Sequence, residues 1–236
     1  MAGSPVTADT IASFDLARET VRELNARLHA PDSAGGRVLV SNPGGKHAIA
    51  VGLDALYEVE IAGHVGYYCA GMNKQATVRI SGNCGVGVAE NMMSGAVVVR
   101  GSASQSAGAT ARGGLLAIHG DAAARCGISL KGADIVVRGS VGHMSAFMAQ
   151  RGTLVVCGDA GEALGDSLYE ARLYVRGSVA SLGADCIEKD LRAEHLAQVR
   201  SLIEAAGIDD VDPAEFRRYG SARQLYNFKV DNVGSY

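Results

Sequence analysis

The chain has 236 residues, of which 31 are glycine, 5% are aromatic and none is tryptophan. One large domain of this length can bury a sizeable core, which small and branched side chains must fill. The formal net charge of -3 gives no electrostatic case for binding nucleic acid or an anionic membrane. No apolar run approaches the roughly 20 residues that span a bilayer. Since residues 1–10 also lack the features of a signal peptide, we expect a cytoplasmic protein.

The first predicted element is a helix that begins after Thr20. Thr20 and Glu23 have the spacing of a capping box, and apolar residues including Leu24 follow at helical spacing. Pro31 marks the end of this helix. We predict that residues 1–43 form an N-terminal segment whose helix caps the front of a repeat region.

Seven glycines lie 19 residues apart without a slip, and each closes a short apolar run. A fixed period of this length is typical of a solenoid built from stacked copies of one coil. We number positions within a coil from this landmark glycine, which is offset zero. The landmark glycines are Gly63, Gly82, Gly101, Gly120, Gly139, Gly158 and Gly177.

Side-chain size also repeats within the coil. Offsets 15 and 17 are always branched and apolar, whereas offsets 3, 7 and 13 are always small. Two apolar positions spaced by two point to one face of a strand, and stacked coils place them in continuous ladders about 4.8 Å apart. Left-handed β-helices are usually built from hexapeptides, so their coil length is a multiple of six, whereas 19 is not. We therefore predict an all-β solenoid over residues 44–186, a right-handed parallel β-helix of about seven 19-residue coils.

The C-terminal segment, residues 187–236, is predicted to contain two helices and an extended tail. Apolar residues at helical spacing predict a helix over residues 191–206 that caps the back of the solenoid. A second short helix is expected to begin at Pro213, after Asp212, and to end near Gly220. The tail that follows is rich in apolar side chains.

The cysteines and histidines show no spacing of a metal or disulfide site. The five cysteines include no Cys-x-x-Cys pair and are expected to be reduced, buried thiols. Cys69 and Cys126 share a ladder but lie three coils apart, roughly 14 Å, which excludes a disulfide or a shared metal. His64 and His143 lie in corner segments, where they either bond locally or face a partner.

Charged residues flank the landmark glycines in alternation. Arginine precedes the glycine in some coils and aspartate follows it in others, as in Arg138 and Asp159. We expect these to pair across neighbouring coils. The alternative is the acidic groove of a polyuronate-cleaving β-helix enzyme. That interpretation needs converging acids, whereas Asp121 and Asp159 lie two coils apart, roughly 10 Å.

A candidate partner interface combines cations, aromatic residues and methionines. Lys74, Arg112 and Lys131 share offset 11, and stacked like charges require either solvent or an acidic partner. Methionine-rich corners either pack in the core or suit adaptable interfaces. No catalytic, cofactor-binding or metal-binding residue is predicted. The predicted interface residues are His64, Tyr67, Tyr68, Lys74, Met92, Met93, Arg112, Lys131, His143, Met144, Tyr226 and Phe228.

The glycine-rich coils of residues 44–186 resemble the C-terminal β-helix domain of the glutamate synthase large subunit, the GXGXG domain. The chain is more similar to a stand-alone version of this domain, the small β-helix subunit of N-methylglutamate synthase (methylamine–glutamate N-methyltransferase). Four stretches carry this closer resemblance, and with them it covers most of the chain. They are residues 63–76, 89–95, 142–148 and 217–226.

The resemblance implies a division of labour within a transferase complex of methylamine metabolism. One partner chain is expected to be glutamine-amidotransferase-like. Another is expected to be a glutamate-synthase-like barrel that carries FMN and an iron–sulfur cluster and performs the chemistry. The β-helix chain would be a non-catalytic structural subunit that binds no cofactor itself. The complex would form N-methylglutamate from methylamine and glutamate.

Two other functions stay open at this point. One is the β-helix chain of similar fold in a formyltransferase/hydrolase or formylmethanofuran dehydrogenase complex, which the tail and the N-terminal helix fit less well. The other is an independent β-helix enzyme acting on a polysaccharide, which predicts secretion and a groove of acids. The sequence shows neither of these last two features.

Overall fold

The computed structural model describes residues 11–30 and 35–224. In this part of the chain eleven strands form one sheet, accompanied by two α-helices and one 3₁₀ helix (Pro213–Glu215). The helices are α1 (Val21–Leu28) and α2 (Ala193–Ala205). The strands are β1 (Ile11–Asp15), β2 (Gly36–Ser41), β3 (Tyr57–Ala62), β4 (Thr77–Ile80), β5 (Ala96–Val99), β6 (Leu115–Ile118), β7 (Lys131–Val137), β8 (Arg151–Val156), β9 (Arg172–Val175), β10 (Cys186–Lys189) and β11 (Arg217–Ser221).

Strands β1 to β9 lie side by side in chain order and every neighbouring pair is parallel. From β3 to β9 the partners are 19 residues apart, as in Ile118 and Val137, apart from one irregularity between Lys131 and Asp134. The register therefore equals the sequence period. This confirms the predicted all-β parallel solenoid, whereas its right-handedness stays a prediction. The ladder begins at β1 and β2, before residue 44.

The core lies inside the solenoid. Alternate residues of each strand point inward and form two ladders in which no side chain is more than 1% exposed. These are the branched positions that the repeat predicts. The two ladders are Val59, Val78, Val97, Leu116, Ile135, Leu154 and Leu173, and Ile61, Ile80, Val99, Ile118, Val137, Val156 and Val175.

The landmark glycines stack directly on one another. A Cβ atom built on Gly82 would lie 2.5 Å from the carbonyl carbon of Gly63, and one on Gly158 would lie 2.7 Å from that of Gly139. Such distances are shorter than real Cβ contacts, so only glycine lets neighbouring coils approach this closely. Two residues later, single parallel bridges such as Cys84 to Ala103 form a second ladder.

Each coil then runs through an arc, which we define as offsets 3 to 12. Offsets 5, 7 and 9 of all six complete coils have φ between 51° and 73°. Their N–H groups alternate in direction: Ala89 N donates back to Cys69 O at 2.9 Å, and Asn91 N donates forward to Ala109 O at 2.9 Å. The repeated left-handed residues thereby satisfy the arc backbone with both neighbouring coils.

Helix α1 covers the front of the core, as predicted. Thr20 and Glu23 form the expected capping box. Leu24 and Leu28 are buried in the core of the solenoid. The Asn25 side chain donates to Ala48 O and accepts from Ala50 N, which fixes the helix to the first arc.

Helix α2 forms where predicted, but it contacts the outer face of β7 and β8 and does not cap the end of the rod. The outward residues of these strands include Val136 and Val155, which are fully buried. They pack in a separate cluster with Val199 and Ile203 of α2. An apolar outer face therefore draws the helix to the flank of the sheet.

The predicted helix over residues 213–220 is wrong beyond Glu215. Residues Arg217–Ser221 form β11, which pairs antiparallel with β9 and β10. Tyr219 is buried in the main core, so the strand covers the exposed edge of the last parallel strand. The predicted apolar tail, from residue 225 onward, lies outside the described residues.

Candidate functional site

Two outward surfaces of the arcs, one at offsets 4 and 5 and one at offsets 9 and 11, hold eight of the twelve predicted interface residues. The first includes Tyr67, which is 54% exposed and stacked on His47 at a ring distance of 3.6 Å. Val86, one coil further on the same ladder, is 47% exposed. His64 is exposed, but its Nδ1 atom accepts a hydrogen bond from the Asn83 N–H at 2.9 Å. His64 therefore bonds locally, which was one of its two predicted roles.

His143 and Met144 are also predicted interface residues, but they lie far from Tyr67. His143 is exposed and occupies the same offset as Tyr67, four coils further along the rod, which corresponds to roughly 19 Å. Met144 is half-buried, like Tyr68, and both have left-handed backbones. The structure therefore places these residues at equivalent positions of a long surface and does not gather them into one pocket.

The second surface consists of offsets 9 and 11, which point outward on either side of the buried offset 10. We call it the corner surface. It contains the predicted residues Lys74, Met93, Arg112 and Lys131; the first three are exposed and Lys131 is half-buried. Sequence reasoning missed other members, although the same alternation by two would have identified them. The corner surface is Met72, Lys74, Asn91, Met93, Thr110, Arg112, Ser129, Lys131, Met148, Gln150, Ser167 and Tyr169.

The remaining predicted residues are His64, which precedes the arcs at offset 1, Met92, Tyr226 and Phe228. The prediction for Met92 is wrong: at offset 10 its side chain is 0% exposed and belongs to the core, so it cannot contact a partner. Tyr226 and Phe228 lie outside the described residues.

The expected pairing of aspartates and arginines across coils is wrong. From His64 to Asp159, each side chain at offset 1 instead accepts a hydrogen bond from the backbone N–H one coil later, 19 residues on. For Asp159, these bonds to Ser178 hold the pKa of the carboxyl below its usual range. The polar ladder runs through His64, Asn83, Ser102, Asp121, Ser140, Asp159 and Ser178.

Two of the arginines before the landmark glycines pair with the segment that follows α2, whereas Arg100 contacts His119 one coil later. Arg138 bonds Asp210 at 2.5 Å, and Arg176 bonds Glu215 at 3.4 Å. A groove of about 340 Å³ opens beside these pairs and includes His119 in its lining. Partial burial and the neighbouring Arg100 lower the pKa of His119. Arg138 and Arg176 are therefore satisfied within the chain.

The five cysteines are free and buried, as predicted. Burial raises the pKa of the Cys84 and Cys126 thiols to about 12 and that of Cys157 to about 11. Buried thiols of this kind are poor nucleophiles. Across residues 11–30 and 35–224, no group of three or more His, Cys, Asp or Glu side chains is arranged to hold a metal ion.

Among the described residues, none of the helices has the length and apolar composition to cross a membrane. The fold and its surfaces define a parallel β-solenoid whose outward positions repeat from coil to coil.

The chain is 61% identical over 225 residues to Protein GlxC of Rhizobium meliloti (strain 1021). The alignment covers 94% of this chain and 99% of that protein. The chain therefore belongs to the GlxC family. No protein-family model and no solved structure matches it.

Proposed function

We propose that this chain is the structural, non-catalytic β-helix subunit of a glutamate-synthase-like enzyme complex. More specifically, we propose N-methylglutamate synthase, which forms N-methylglutamate from methylamine and glutamate. The repeated outward surface of the rod carries this proposal. Tyr67, Met72, Val86 and Met93 are each more than 40% exposed on arcs fixed by coil-to-coil hydrogen bonds. Rigid surfaces with exposed aromatic and methionine side chains favour protein contacts.

The identity of the complex rests on the resemblance of the coils to the GXGXG domain. The 19-residue register of β3 to β9 and the stacked landmark glycines support that resemblance. Under the proposal, a glutamine-amidotransferase-like chain and a glutamate-synthase-like barrel chain bind this subunit. The barrel chain would bind FMN and an iron–sulfur cluster and carry out the transfer. The complex would work in the cytoplasm.

Co-expression of the three chains tests the proposal. We expect a stable complex that converts methylamine and glutamate into N-methylglutamate, whereas this chain alone turns over neither compound. Flavin absorbance and iron content should follow the barrel chain when the subunits are separated. Full activity of the barrel chain without this subunit would overturn the structural role. Co-purification with formyl-transferring chains would instead identify a formyltransferase/hydrolase or formylmethanofuran dehydrogenase complex.

A further inference from the structure

We infer that the corner surface is the docking site for an acidic, amphipathic segment of a partner subunit. This inference rests on the proposed function, because it names the chemistry of the partner that the rod would bind. The surface spans six coils at two positions per coil, and none of its twelve positions is acidic. The chain as a whole has more acidic than basic residues, with 25 Asp and Glu against 22 Lys and Arg. The corner surface therefore differs in charge from the rest of the molecule.

The cations of this surface are stacked closely. Arg112 and Lys131 occupy the same position of adjacent coils, and Arg151, just outside the corner surface, lies in register with Lys131 on the next strand. Successive members are separated by roughly the 4.8 Å spacing of strands. Like charges at this distance repel each other, so an anion beside this row of cations would lower their electrostatic energy.

These cations have no acidic partner among the described residues. The ion pairs of the described chain involve other arginines, such as Arg37, Arg138 and Arg176. Two carboxylates adjacent to the corner surface in sequence are already engaged. Asp166 accepts hydrogen bonds from Ser167 and Ala184, and Glu170 pairs with another arginine. An external carboxylate would therefore meet an unsatisfied cation and would not have to displace an internal one.

Methionines beside the cations define the second property of the partner. Met72, Met93 and Met148 are 46%, 42% and 37% exposed. Flexible thioether side chains adapt to apolar groups of varied shape. A segment that alternates carboxylates with apolar side chains would contact both kinds of residue at once.

Recognition must come from side chains here. The backbone N–H of Met72 donates to Glu90 O, and that of Arg112 donates to Met92 O. Since the arcs use their backbone groups between coils, the surface cannot add a strand as an open sheet edge does. From Lys74 to Gln150 the surface spans four coil spacings, roughly 19 Å. About six residues of extended chain or thirteen of helix cover this length.

Carbodiimide coupling in the purified complex tests this inference directly, because the reagent joins an amine to a carboxylate only in direct contact. We expect peptides that link Lys74 or Lys131 to an Asp or Glu of a partner chain. Both lysines should also be protected from acetylation in the complex relative to the free chain. Absence of links to a partner chain, with both lysines acetylated as readily in the complex as in the free chain, would overturn the partner-subunit assignment.

Charge variants test the contribution to binding. The double variant Arg112→Gln/Lys131→Gln should weaken assembly about tenfold or more at low salt and reduce its salt dependence. The control Arg22→Gln/Arg79→Gln changes net charge equally at exposed positions outside the corner surface, and should weaken assembly less than about twofold. Equal effects of the two pairs would overturn the inference. If no complex forms even with the wild-type chain, the proposed function fails instead.

Discussion

The Oδ1 atom of Asp159 accepts a hydrogen bond of 2.7 Å from the backbone N–H of Ser178, which occupies the same position one coil later. The Ser178 hydroxyl donates to the same oxygen at 2.8 Å. The sequence predicts that this carboxylate pairs with an arginine. In the structure it instead accepts a backbone hydrogen bond from the next coil. The same relationship links Asp121 to Ser140 at 2.8 Å.

Replacing Asp159 by asparagine should alter the pH dependence of stability. Hydrogen bonds from Ser178 lower the pKa of this carboxyl in the folded state, so the folded protein binds the proton less readily than the unfolded chain. The stabilisation is present above the unfolded pKa of about 3.9 and is lost as the pH falls through the lower folded value. We expect the wild type to lose stability more steeply than Asp159→Asn below about pH 4.

Urea unfolding between pH 3 and pH 7 measures this difference. Ser178→Ala removes the hydroxyl donor to Asp159 but keeps the backbone N–H, and should give a slope between those of the wild type and Asp159→Asn. Identical pH profiles for Asp159→Asn and the wild type would contradict the assigned hydrogen bonds.

Shortening an inward ladder residue should be costly. Leu154 is 0% exposed and stacks between Ile135 and Leu173, so Leu154→Ala leaves a cavity and should reduce the free energy of unfolding by about 2–5 kcal/mol. Leu39→Ala removes a side chain that is 38% exposed on the outer face, and should cost less than about 1 kcal/mol. Urea denaturation with comparison of slopes checks both values, and equal losses would contradict the described core.

Gly108 should tolerate alanine poorly for a steric reason. It has a left-handed backbone, and an added Cβ would lie 2.6 Å from Ile135 Cδ1. Ala89 and Ala146 occupy the same offset with similar φ values of 56° and 59°, so the backbone alone does not require glycine. We expect Gly108→Ala to cost about 1–3 kcal/mol through overpacking.

A double-mutant cycle isolates that contact. Ile135→Val removes the Cδ1 atom and should partly rescue Gly108→Ala. Gly45→Ala is the backbone control, because φ is +72° there and no atom lies within 4 Å of the added Cβ. Strict additivity of the Gly108 and Ile135 changes would argue against the clash.

The five thiols should resist modification in the folded protein. All five cysteines are buried, and burial raises the pKa of Cys186 to about 12, so neither access nor thiolate formation favours reaction at pH 8. Ellman's reagent should detect fewer than one thiol per native chain and all five in urea. Gln105→Cys, at an exposed arc position, should add one fast-reacting thiol. Stoichiometric labelling of the unmodified native chain would contradict the burial.

Much of the solenoid could be predicted because its causes are local and repeated. The spacing from Gly63 to Gly82 sets the register, and branched residues such as Val78 and Ile80 identify the inward face. The capping box of Thr20 and Glu23 likewise predicts α1.

Features set by contacts between distant parts of the chain were predicted less well. The position of α2 depends on Val136 and Val155 of the outer face meeting Ile203, which no period reveals. The short segment after Glu215 pairs as a strand because β9 offers a free edge. Likewise, Met92 differs from Met93 only in which side of the arc it faces. Telling the exposed methionine from the buried one requires the alternation of inward and outward positions along the arc, because composition alone does not separate them.

The alternating hydrogen bonds of the arcs restrict how this chain can change in length. The backbone N–H of Ala89 donates to the preceding coil, and that of Asn91 donates to the following coil. Each arc therefore needs a matching arc on both sides to satisfy its backbone. Gain or loss of a whole 19-residue coil would preserve the ladders and alter the rod by about 4.8 Å. An insertion or deletion of another length within an arc shifts only the residues that precede the restored register, as in the last coil, where Leu164 pairs with Leu182, 18 residues on. Along the rod, the distance between binding sites at equivalent positions therefore changes in steps of one coil.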